Sequence, residues 1–112
     1  MEGVRFLLMV CADSGFQPPD TLDEETRAWI AEVEEHGLHV IGGRIELPAE
    51  ATIVTTRDGE TVHLPGPRVD VDEQVLGFDV LDAENQDVVL ELLKRHPMIR
   101  HGSIEIRQLL DE

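Results

Sequence analysis

The stretch from Gln74 to Pro97, QVLGFDVLDAENQDVVLELLKRHP, decides the fold. Its first half alternates, with Leu76, Phe78 and Val80 on one face, which predicts a strand over Gln74 to Asp82. The period then changes. Val88, Val89, Leu92 and Leu93 recur at helical spacing, predicting a helix opened by Asp82 or Ala83. Lys94, Arg95 and His96 suit the C-terminal dipole of that helix, and Pro97 stops it. Beyond it Ser103 to Leu109 alternates Ile104 and Ile106 against Glu105 and Arg107, a second strand.

The N-terminal half repeats this order. Val4 to Cys11 has strand length, with Val4, Phe6, Leu8 and Val10 on one face and Arg5, Leu7, Met9 and Cys11 on the other. Three of the latter four are apolar, so both faces of this strand need cover. Pro18-Pro19 ends a loop, and Thr21-Leu22-Asp23-Glu24 fits a capping box in which Thr21 and Glu24 satisfy reciprocal backbone donors. Leu22, Thr26, Trp29, Ile30 and Val33 then form a helical stripe, closed by His36 and a left-handed Gly37. Leu38 to Ile45 resumes as strand, where Gly42-Gly43 suggests a bulge or close backbone approach. Ala51 to Thr56 and Glu60 to Leu64 are the arms of a hairpin turning at Asp58-Gly59, before Pro65-Gly66-Pro67 breaks the pattern.

The resulting order is β-α-β-(hairpin)-β-α-β, an α+β chain of the split βαβ, ferredoxin-like kind with an inserted hairpin. Two crossover helices on one side would leave the sheet face bearing Leu7 and Met9 bare. Pairing two such faces in a dimeric α/β barrel would bury it, so a homodimer is expected, with any ligand cavity between the sheet and its capping loops.

Composition bounds the function. In 112 residues, 24 acids oppose 9 Lys and Arg, a net charge of −15, which excludes nucleic acid and anionic membrane as natural partners. No apolar run reaches the ~20 residues of a membrane span, and no secretory leader pattern opens the chain. One domain over residues 1–112, cytoplasmic, is the expectation. The single cysteine, Cys11, cannot form an intramolecular disulfide and has no adjacent cation, so it reads as a core residue. No dinucleotide, P-loop or nucleophile-elbow motif occurs, and no cofactor is expected.

From Gly37 onward the sequence resembles the YCII-related family, in particular its DGPF branch. The residues that carry the resemblance are Gly37, Gly42, Ile45-x-x-Pro48, Ala51-Thr52, Arg57-Asp58-Gly59, Gly66-Pro67, Glu73-Gln74, Gly77-Phe78, His96-Pro97 and Gly102-Ser103-Ile104-Glu105. The resemblance implies a ferredoxin-like fold in a dimeric α/β barrel. For chemistry it implies less: some relatives are lyase-like enzymes using a His–Asp pair, and DGPF-type genes often neighbour sigma-factor genes, which suggests regulation. The chain departs from the pattern at Pro65, where the branch has its aspartate, at Arg68 in place of phenylalanine, and at Asp70-Val71-Asp72-Glu73 in place of Glu-x-Lys-Glu. Gly43, with Arg44 beside it, replaces a glutamate.

These residues define the candidate site. Arg44 and Arg68 would orient an anion bidentately, with Asp70 and Glu73 as polar contacts. The structural alternative is that Asp70, Asp72 and Glu73 form a solvated loop, and their spacing fits no calcium loop. His96, with Glu73, is the catalytic candidate: an acid of the first helix, Glu24 or Glu25, could fix its tautomer for general-base work. The alternative role for His96 is to cap the second helix. His36, His39, His63 and His101 announce no zinc set, and no metal is expected. Three readings follow: a homodimer binding a small polar or carboxylated molecule, a cofactor-independent lyase or isomerase, or a regulatory module whose acidic first helix meets a basic partner.

Overall fold

The computed structural model describes residues 3–69 and 71–110. Six strands and two helices follow in the order β1 (Val4–Ala12), α1 (Leu22–Glu35), β2 (His39–Arg44), β3 (Thr52–Arg57), β4 (Glu60–Pro65), β5 (Gln74–Ala83), α2 (Gln86–Leu93) and β6 (Ser103–Gln108). Short 3-10 turns at Pro48–Glu50 and Pro97–Arg100 punctuate the chain. The main sheet runs β2-β5-β1-β6, every neighbouring pair antiparallel, and β3-β4 stands apart as a two-stranded ribbon. β5 thus lies between β1 and β2, and β1 between β5 and β6. These are the two split βαβ units expected from the element order.

The core lies on the helix side. Phe6, Leu8, Leu81 and Ala83 from the sheet meet Trp29 and Val33 of α1 and Val89, Leu92 and Leu93 of α2. Trp29 anchors the contact by donating Nε1–H to the Leu92 carbonyl oxygen, 2.8 Å away. A second cluster, Val10, Ala12 and Met98, closes the far end with Phe16, Leu22 and Leu76 around it.

Several local expectations need correction. The first is the start of α2: β5 continues to Ala83, and Asn85 caps the helix by accepting from Val88 N. Helix-favouring Ala83 and Glu84 yield to pairing, because Ala83 is partnered with Val4 in the ladder. Thr21 is the N-cap of α1 by position, yet its hydroxyl donates to Glu25 at 2.7 Å, so the reciprocal box with Glu24 does not form. Leu76 does not share a face with Phe78 and Val80. A register shift opposite Val10/Cys11 turns it towards the cluster of Val10, Ala12 and Met98. The irregularity expected at Gly42-Gly43 is at Val40 instead, while Gly42 does make a close approach to β5. Asp58 and Gly59 take the positive φ values, 51° and 81°, of a tight hairpin turn, as their sequence asks.

The opposite face of the sheet carries Leu7 and Met9 of β1, Ile41 of β2, and Phe78 and Val80 of β5, none of them buried. The molecule is correspondingly flat, 49 × 40 × 17 Å, with a radius of gyration of 16.1 Å. A compact chain of this length has about 13 Å.

Candidate functional site

The predicted site residues fall in three places. Arg68 follows β4 and lines an open cleft of about 470 Å³ whose wall is the hairpin: Ile53, Thr55 and Arg57 of β3, Leu64 of β4, and Val69. Alternation explains this set. Ile53, Thr55 and Arg57 are two apart along β3, and Leu64 faces Ile53 in the ladder, so one face of the ribbon presents them together. The lining is apolar at Ile53, Leu64 and Val69, polar at Thr55 and cationic at Arg57 and Arg68. Among the described residues no carboxylate forms an ion pair with either guanidinium. In the sequence Arg57 stands out only within the Arg57-Asp58-Gly59 step of the family resemblance; its place two residues beyond Thr55 on a two-faced ribbon is what brings it to the cleft with Arg68.

Glu73 precedes β5 and accepts from the Ser103 hydroxyl at the start of β6. The neighbouring group is Cys11, paired with Ser103 across the ladder. Burial pushes the Cys11 thiol up, and the negative charges of Glu73 and Glu105 push it further, so this thiol is held in its unreactive form. Arg44 ends β2 opposite Gly77 and is exposed. Neither Arg44 nor Glu73 lines the Arg57–Arg68 cleft. Asp70 lies outside the described residues. The loop before β5 is tied down by Gln74, whose amide donates to the carbonyl oxygens of Val69 and Val71 at 2.8 and 2.7 Å.

His96 is 3% exposed. It does not cap α2: it is the N-cap of the 3-10 turn Pro97–Arg100, its Nδ1 accepting from Met98 N at 3.0 Å. Among the described residues no carboxylate bonds it. Glu25 turns instead to Thr21 and to Arg100, 2.6 Å away, and the Thr21 hydroxyl followed by the Arg100 guanidinium holds its carboxyl below the usual range. Desolvation alone lowers His96 to about 4, which keeps the imidazole neutral.

A His–acid pair does exist, at residues the sequence did not connect. His39 Nε2 lies 3.0 Å from Asp79 Oδ1, with the side chains 13% and 9% exposed. Three features build it. In the ladder His39 stands opposite Leu81 and Ile41 opposite Val80, so Val40 is an extra residue that turns His39 to the helix side. Asp79 faces the same side, opposite Leu8. Gly42 stands opposite Asp79, where a Cβ would collide with the carboxylate. Alternation along β5 could have placed Asp79 inward; only the bulge could have placed His39 beside it.

The YCII-related domain pattern matches residues 4–112. The chain belongs to the YCII-related family. Compared with curated proteins, it has no significant match. The βαβ units and antiparallel sheet agree with that membership, as does the hairpin between β2 and β5. No helix in the described residues of this YCII-related chain is long and apolar enough to cross a membrane, and no cluster of three or more His, Cys, Asp or Glu among them could hold a metal ion.

Proposed function

We propose that this YCII-related chain is a homodimer, closed through the open faces of its sheets, that binds a small carboxylated molecule in the hairpin cleft. The observation that carries the reading is the pairing of Arg57 with Arg68 on one cleft of about 470 Å³. Ligand sites commonly measure about 300–1,000 Å³, apolar walls with a few convergent polar groups. In a chain of net charge −15, two guanidiniums on one wall, neither in an ion pair among the described residues, favour an anion. Their planar forks suit a carboxylate bidentately, Thr55 supplies a hydroxyl, and Ile53, Leu64 and Val69 suit an apolar body.

The dimer is supported by the apolar row Leu7, Met9, Ile41, Phe78 and Val80 on a face no helix covers, and by the flat shape of the protomer. Arg44 and Glu73 are then candidates for polar contacts reached across the dimer. Calorimetric titration with short-chain and aromatic carboxylates tests the reading. Saturable binding to the wild type that Arg68→Gln abolishes is expected. Equal heats from the matching neutral amides would overturn it.

A further inference from the structure

We propose that the His39–Asp79 pair is a proton-sensitive latch on edge strand β2, which acid closes and neutral pH loosens. Asp79 is the one carboxylate buried in the core among the described residues. It stands on a central strand, opposite Leu8 on one side and Gly42 on the other, with Leu81 next on its own face. His39 is its side-chain hydrogen-bond partner. A single donor compensates poorly for a carboxylate removed from water, and burial accordingly raises the Asp79 pKa despite the opposing pull of His39.

The strand that holds this pair closed is an edge strand. β2 pairs with β5 alone, and the Val40 bulge interrupts that pairing. Val40, the bulged residue outside the apolar row of the open face, is 43% exposed, so little apolar surface holds it down. Lifting β2 removes His39 and lets water reach Asp79, whose acidity then returns to the ordinary range. Protons therefore favour the closed strand. Each unit by which closure raises the carboxylate changes the opening equilibrium about tenfold.

Other charges are engaged elsewhere. Among the described residues no side chain other than His39 bonds or pairs with Asp79. On α1, Glu32 is held by Arg95, Glu25 by Thr21 and Arg100, and Glu34, Glu35 and His36 are exposed. On α2, Glu91 pairs with Lys94. From β1 the nearest partner is apolar Leu8, and Arg5 pairs with Asp82 on the opposite face.

The test is amide hydrogen exchange, read as protection factors, for β2 in the wild type and in Asp79→Asn between about pH 4 and 8. Asparagine keeps an acceptor oxygen for Nε2–H and removes the charge. Wild-type β2 amides should lose protection as pH rises, about tenfold per unit of carboxylate shift, while β1 amides hold theirs. Asp79→Asn should keep β2 protected at every pH. A flat wild-type profile overturns the latch even if the variant does not fold. So does a variant whose β2 opens more readily than wild type near neutrality.

Discussion

Trp29 meets His96 edge-on, ring centroids 4.5 Å apart and planes inclined at 63°. The same Trp29 bonds the Leu92 carbonyl, so one side chain of α1 holds both the last turn of α2 and the segment after it. His96 in turn spends its Nδ1 lone pair on Met98 N, which a charged imidazole could not do.

That arrangement predicts an acid-sensitive step in stability. Burial lowers His96 from 6.5 to about 4, so the folded protein binds fewer protons than the unfolded chain between those values. Its contribution is fully present above pH 6.5 and declines as pH falls towards about 4, by roughly 3 kcal/mol over the whole window. Urea unfolding at several pH values should show that decline. His96→Asn keeps a capping acceptor and should be less stable at neutral pH but lack this acid slope.

Two glycines should respond differently to alanine. At Gly102 the new Cβ would strike the backbone carbonyl of Cys11 and come within 3.2 Å of Ala12 Cα, groups fixed in β1. At Gly42 it would strike the Asp79 carboxylate, which can swing, and lie 2.8 Å from the Phe78 carbonyl oxygen. Overpacking costs about 1–3 kcal/mol. Gly42→Ala should fall within that range and Gly102→Ala at or beyond its upper end in denaturant melts.

The open sheet face makes a prediction about mass. One chain is 12.5 kDa, and sedimentation equilibrium of the wild type should give twice that value. Met9→Glu places a charge among Leu7, Phe78 and Val80 without touching the helix-side core, and should give the single-chain mass with unchanged far-UV circular dichroism. A wild type that stays at 12.5 kDa throughout the accessible concentration range would remove the dimer from the account.

Much of the fold was legible because periodicity reports burial. The inward row Phe6 and Leu8, the Trp29 and Val33 stripe, and the Asp58-Gly59 turn all read directly from residue order. Boundaries failed where pairing outweighed propensity, as at Ala83. Alternation fails where a register shift intervenes: it puts Leu76 with Phe78 and Val80, and it does not join His39 to Asp79, residues forty positions apart brought together by one extra residue at Val40. The candidate site was legible in part. Arg68 was singled out as a substitution of charge for an apolar ring, but its partner Arg57 emerges only from the ribbon's alternation. His96 stands directly before Pro97, and the same proline explains its capping role, since it opens the 3-10 turn that His96 caps.

The central claim, that Arg57 and Arg68 bind a carboxylate together, is tested most directly by following arginine Nε–Hε resonances during titration with an aromatic monocarboxylate. The account predicts that the Arg57 and Arg68 signals shift together and saturate at one ligand per chain, while those of Arg95 and Arg100, already engaged by Glu32 and Glu25, stay still. Uniform small shifts across all arginines, without saturation, would contradict it.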